Sequence, residues 1–176
     1  MRVLAIDSSG LTATVAIVED DTTIAEFTIN YKKTHSQTLL PMIDEMVKMV
    51  EADLDSIDAI AVAGGPGSFT GLRIGSATAK GLGLALGKPL IHIPTADAMA
   101  YSIYGCEDII CPIMDARRNQ VYTGIYSFVP MILITFVYLK TNRRRNKYEE
   151  SGNFDGGRYE CREWNQYVQG CRWFVG

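Results

Sequence analysis

Histidine is almost missing from this chain: its 176 residues include two, His35 and His92. They are too far apart to share a helical metal-pair spacing, and each is expected to be a hydrogen-bonded structural residue. Cysteine is sparse too. The four, at 106, 111, 161 and 171, form no CxxC pair, which removes the usual zinc signature. Neither a GK[ST] phosphate loop nor a dinucleotide-type glycine fingerprint occurs. There is no HExxH and no Ser/His or Cys/His constellation, so a peptidase reading finds no support. The longest apolar run, Val129–Leu139, has eleven residues, too few to span a bilayer as a helix. The opening MRVLAIDSSG lacks the apolar core and cleavage site of a signal peptide. A reduced, cytoplasmic protein without membrane contact, metal ion or cofactor is the expectation.

Positive charge is short in the first part of the chain. Residues 1–128 hold nine Lys/Arg and fifteen Asp/Glu, a net of −6; residues 129–176 hold eight and five, a net of +3; together these give −3. Proteins that grip nucleic acid unaided usually show a basic face, so any contact with RNA is expected to be indirect. All fifteen Ala and both His precede residue 129, and both Trp follow it. Beyond Leu139 the chain shows no sustained helical period and little strand alternation. An irregular extension, a disordered basic tail and the product of a shifted reading frame all fit residues 129–176. The abrupt change favours the last.

The first part carries clear elements. Arg2–Asp7, Thr12–Glu19 and Thr22–Asn30 read as three strands in a meander. HSQTLLPMIDEMVKMVEADL has apolar residues at helical spacing, with Thr38 expected as N-cap and Pro41 in the first turn. An earlier start would place Pro41 inside the helix, where a kink is expected. Ile57–Ala63 suits a buried parallel strand. A slim, small-residue helix follows over Thr70–Leu86 and ends at Gly87. Leu90–Ile93 reads as a strand, Thr95–Tyr104 as a helix, and Ile109–Met114 with Gln120–Tyr126 as a hairpin. The order βββαβα, then ββ, is that of a ribonuclease-H-like, actin-like ATPase lobe with an incomplete second lobe. The expected organisation is a lobe over 1–104, the hairpin over 105–128 and an atypical tail over 129–176.

Two segments invite a chemical reading. Asp7-Ser8-Ser9 sits where strand one turns into strand two. Small residues beside an acid can approach nucleotide phosphates, and a tight turn with a self-bonded Asp is the plainer account. Gly64-Gly65-Pro66-Gly67-Ser68 leaves a strand and opens a helix, which can seat an anion. Read purely as pattern, Gly71, Gly75, Ala77, Ala79, Gly81, Gly83 and Ala85 make the helix slim and favour close packing over ligand binding.

Three segments, VLAIDSSGLTATVAIVE, HSQTLLPMIDEM and AVAGGPGSFTGLRIGSATAKGLGLALGKPLIHIPTADAMA, closely resemble the bacterial tRNA threonylcarbamoyladenosine biosynthesis family TsaB (YeaZ). MDARRNQVYTGIY extends the resemblance to about Phe128. The resemblance implies a degenerate relative of the transferase TsaD, which binds a metal through a His-x-x-x-His pair. Here Thr95 and Met99 stand at those two positions, which implies a non-catalytic scaffold. It also implies a helix bundle formed with TsaD, or with a second copy of the chain, by the first two helices. The contact residues expected there are Leu39, Leu40, Ile43, Met46 and Val47 with Leu72, Ala79 and Leu82. A TsaE-type ATPase is a further implied partner. The rival reading is an enzyme, an actin-like ATPase using Asp7 or an M22-type peptidase. A non-functional truncated product is a third.

Overall fold

The computed structural model describes residues 1–31, 34–118, 120–129, 132–142 and 172–175. The chain divides into two compact units, Met1–Thr95 and Ala96–Gly176.

In the first unit, β1 (Arg2–Asp7), β2 (Ala13–Glu19) and β3 (Thr22–Ile29) form the meander, followed by α1 (His35–Met49). Then come β4 (Ala59–Ala63), α2 (Phe69–Leu86) and β5 (Leu90–Ile93). The sheet order is β3-β2-β1-β4-β5. β1 runs antiparallel to β2 and parallel to β4, and β4 runs parallel to β5. The two parallel steps each need a crossover, which α1 and α2 supply. This is the ribonuclease-H-like, actin-like arrangement expected from the element order.

The strand pattern explains the core. Leu4 and Ile6 of β1, and Ala13, Val15 and Ile17 of β2, alternate inward. They meet Leu39, Met42, Ile43 and Met46 of α1, Ile60 of β4 and Ala79 of α2 in one cluster. Such alternation leaves one sheet face for the helices.

One expected helix cap shifts. Thr34, not Thr38, is the N-cap of α1, and Pro41 lies inside the helix. Thr38 is buried instead, with its hydroxyl turned back toward the Thr34 and His35 carbonyls at 3.5 and 3.4 Å. Gln37, whose carbonyl a non-proline residue at 41 would reach, is exposed, as is Pro41. Water can therefore satisfy the missing bond. The Ser68 hydroxyl accepts from the Gly71 amide at 3.3 Å as the cap of α2. Gly87 closes that helix at φ 65°, a left-handed conformation that glycine reaches without a Cβ clash.

The second unit holds α3 (Thr95–Tyr101) from Ala96 onward, and β6 (Ile110–Asp115), β7 (Gln120–Val129), β8 (Ile132–Asn142) and β9 (Arg172–Val175). Their order is β8-β7-β6-β9. The division falls at Thr95/Ala96 rather than after Tyr104, because Ala96 and Ala100 pack with Ile110 and Tyr126. β8 lies beyond the composition break. Its β-branched and aromatic sequence ILITFVYLKTN suits a strand and pairs antiparallel with β7. Most of the tail, residues 143–171, lies outside the described residues, and so does the reading-frame expectation for it.

Candidate functional site: a sealed turn and an exposed helix face

Because β1 and β4 are parallel neighbours, the turns that leave them emerge at the same end of the sheet. Asp7-Ser8-Ser9 follows β1, and Gly64–Ser68 follows β4. The Ser68 amide donates to the Ser9 carbonyl at 2.7 Å. The Ser8 hydroxyl donates to the Gly71 carbonyl at 2.9 Å. The Asp7 carboxylate accepts from the Ser9 amide at 2.8 Å, closing the turn on itself. His35 joins from α1, with Nε2 3.2 Å from the Gly10 carbonyl.

The fit leaves no room for side chains. A Cβ added to Gly71 would overlap the Ser8 carbonyl oxygen, and one at Gly75 would overlap the Ser8 hydroxyl. The small residues of α2 are therefore the surface on which the β1–β2 turn rests. Ser8 and Ser9 are 2 % and 4 % exposed, and the Ser8 hydroxyl already has its partner. A bare phosphate cradle needs open amides and hydroxyls; this turn is a packed joint.

β5 braces the same loop from the other side. The Gly64 amide donates to the Ile93 carbonyl at 2.8 Å. The Thr95 amide donates to the Gly65 carbonyl at 2.8 Å, and the Thr95 hydroxyl accepts from the Gly65 amide at 3.2 Å. Thr95 is 2 % exposed. The His92 ring lies over Gly64 so closely that a Cβ there would overlap it. His92 was expected to be structural, but neither its packing over Gly64 nor the bonds between Thr95 and Gly65 were anticipated from sequence. The detectable signal was a strand ending opposite a glycine-rich loop, with polar residues at its tip. Among the described residues, no three His, Cys, Asp or Glu side chains converge to hold a metal ion.

The candidate interface residues divide sharply. Leu39, Ile43, Met46 and Ala79 are 3 % exposed or less and belong to the core. Val47 and Leu82 are half-buried against it, and Leu72 is half-buried beside Gly65. Only Leu40 of the eight is substantially exposed, at 53 %. The correction has a simple cause. The regular apolar stripe of a helix marks the side facing its own sheet, and a docking side carries isolated apolar residues among polar ones. On α1 the outward residues are Leu40, Pro41, Asp44, Lys48 and Met49, with a Lys48–Asp44 ion pair of 2.6 Å. On α2 they include Phe69, Arg73, Ala77, Gly81 and Leu84, the Arg73 guanidinium lying 5.4 Å from the Phe69 ring centre.

A sheet of order 3-2-1-4-5, with a glycine-bearing helix seated on the β1–β2 turn, defines an actin-like lobe of the ribonuclease-H-like class. The family model for TsaD, tRNA N6-adenosine threonylcarbamoyltransferase, matches residues 22–141. The TsaB protein of Bacillus subtilis, a tRNA threonylcarbamoyladenosine biosynthesis protein, is 38% identical over 128 residues, covering 73% of this chain and 56% of that one. TsaB of Escherichia coli K12 is 37% identical over 129 residues, with 72% and 55% covered. TsaB of Buchnera aphidicola from Schizaphis graminum is 31% identical over 151 residues, with 84% and 71% covered. The solved structure of YeaZ from Pseudomonas aeruginosa superposes with a TM-score of 0.72 at 27% identity, covering 85% of this chain and 71% of that one. The chain belongs to the TsaB (YeaZ) family of tRNA threonylcarbamoyladenosine biosynthesis proteins. It spans about half the length of the TsaB proteins of Bacillus subtilis and Escherichia coli.

Proposed function

We propose that the chain is a non-catalytic scaffold for a TsaD-type transferase, which places threonylcarbamoyl on the adenosine beside the anticodon of tRNA. The observation that carries this reading is the state of Thr95. It stands where the resemblance puts the first metal-binding His of the transferase. Its hydroxyl is buried and engaged with Gly65. Met99, at the second position, offers a soft thioether that suits a hard catalytic ion poorly. Ser8 is likewise committed to Gly71, which weighs against nucleotide chemistry at Asp7-Ser8-Ser9.

The exposed sides of α1 and α2 form the docking face for the transferase or for a second copy of the chain. Leu40, Met49, Phe69 and Leu84 are the large apolar residues exposed there. Small Ala77 and Gly81 lie between them and would let a partner helix approach closely. A TsaE-type ATPase would join through the transferase, and the work would take place in the cytoplasm, where tRNA is modified.

Co-purification with the transferase homologue tests the proposal. Leu40→Asp with Leu84→Asp is expected to abolish the complex while leaving the fold intact. A complex of unchanged strength would defeat the proposal. Calorimetry with ATP and magnesium addresses the rival ATPase, whose case ends if no heat of binding is seen.

A further inference from the structure

We infer that the tip of the β6–β7 hairpin is a phosphate-binding projection that contacts the RNA substrate directly through Arg117 and Arg118. The backbone is the first observation. Arg117 and Arg118 are consecutive and both left-handed, at φ 63° and 55°. Side chains with a Cβ avoid this region, and hairpin tips usually fill it with Gly, Asn or Asp. The tip is nonetheless firmly made. The Arg117 amide donates to the Asp115 carboxylate at 2.8 Å. The Gln120 amide donates to the Arg117 carbonyl at 3.0 Å, and the Ala116 amide to the Gln120 carbonyl at 2.9 Å. None of these bonds uses a guanidinium, so glycine would serve the turn better than arginine does.

The side chains are the second observation. Arg117 and Arg118 are both exposed. Among the described residues the ion pairs are Met1–Asp20, Arg2–Glu19 and Lys48–Asp44, and neither tip arginine takes part in one. Strained backbone that holds two unpaired cations outward is retained for what the cations touch. Residues 1–128 carry a net charge of −6 and the whole chain −3, so within the first part a polyanion gains most from a local cationic projection. Guanidinium forks match phosphate oxygens in pairs. Two adjacent exposed guanidinium groups suit the closely spaced phosphates of an RNA backbone. The choice of RNA rests on the tRNA-modification reading above.

The test measures anisotropy of a labelled tRNA transcript across a potassium chloride titration, with the full chain alone and mixed with the transferase homologue. Wild type is compared with Arg117→Gly/Arg118→Gly and with Arg117→Lys/Arg118→Lys. The glycine pair adopts the same turn more easily, so misfolding is not a confounding outcome. It is expected to weaken RNA binding about tenfold and to lower the salt slope by about two, roughly one for each lost phosphate contact. The lysine pair is expected to keep the slope and lose part of the affinity. Equal affinity and slope in wild type and the glycine pair overturn the inference, as does a wild-type chain that binds no RNA in either format at low salt. Loss of transferase co-purification with unaltered RNA binding would assign the tip to an acidic protein partner and overturn it as well. Failure of the wild-type chain to co-purify with the transferase defeats the scaffold proposal instead, and the measurement on the chain alone still decides this one.

Discussion

Thr95 and Gly65 exchange two hydrogen bonds, from the Thr95 amide to the Gly65 carbonyl at 2.8 Å and from the Gly65 amide to the Thr95 hydroxyl at 3.2 Å. The hydroxyl thus does for the loop what a backbone carbonyl does in a sheet ladder. Thr95→Ala leaves the Gly65 amide without its partner beside a buried position. A buried donor left unsatisfied costs about 1–3 kcal/mol. Chemical denaturation of Thr95→Ala is expected to show a loss in that range, and Thr95→Ser is expected to recover most of it. Equal losses for Ala and Ser would mean that the methyl group, not the hydroxyl, does the holding.

The glycines of α2 are not equivalent, and two substitutions separate them. Gly71 faces the Ser8 carbonyl oxygen, and an added Cβ would overlap it. Gly71→Ala must push the turn off the helix, and overpacking of this kind costs about 1–3 kcal/mol or more. Gly81 has no atom within 4 Å of its added Cβ and lies exposed within the helix. Gly81→Ala is expected to stabilise the chain by about 0.5–1 kcal/mol, through helix propensity and the restricted unfolded chain. If Gly81 faces a partner helix, the same variant weakens co-purification with the transferase homologue while raising the thermal midpoint.

The contrast between these positions shows what a sequence can convey. Strand alternation and helical spacing were legible because burial on one face leaves a period, and Arg2–Asp7 and Leu90–Ile93 coincide with the observed strands. The cap at Gly87 was legible because a left-handed residue calls for glycine. The start of α1 was not. Thr34 and Thr38 are equally good caps by type, and the choice depends on burying Thr38, a tertiary fact. The interface misreading has the same origin. Periodicity locates the apolar stripe of α1 but cannot say whether its own sheet or a partner covers it. The sheet does, and this leaves Leu40 outside and Met46 inside.

That division predicts opposite outcomes for two substitutions on one helix. Met46 has 0 % exposure within the first unit's core. Met46→Ala is expected to lose about 2–5 kcal/mol through lost burial and a residual cavity. Leu40→Asp changes a largely exposed site and is expected to stay within about 0.5 kcal/mol of wild type in denaturant unfolding. On the docking proposal the order is expected to reverse in co-purification: Leu40→Asp is expected to weaken capture by the transferase homologue, whereas Met46→Ala, at a temperature where it remains folded, is not. A Leu40→Asp chain that binds normally would remove α1 from the docking face.

The hairpin tip provides the last prediction, and it concerns stability alone. An L-residue in the left-handed region is disfavoured by about 1–2 kcal/mol, because its Cβ crowds the following carbonyl. Arg117 and Arg118 both bear that strain. Glycine removes it but gives back about 0.5–1 kcal/mol in unfolded-chain entropy. Each single change, Arg117→Gly or Arg118→Gly, is therefore expected to raise stability by roughly 0.5–1 kcal/mol. Arg→Ala at either position keeps the Cβ and is expected to give no gain. Hence stabilisation by glycine and not by alanine identifies backbone strain as the source, whereas equal stabilisation by both would trace the effect to the side chains' charge. Whatever function keeps two arginines at this tip must then outweigh a measurable loss of stability.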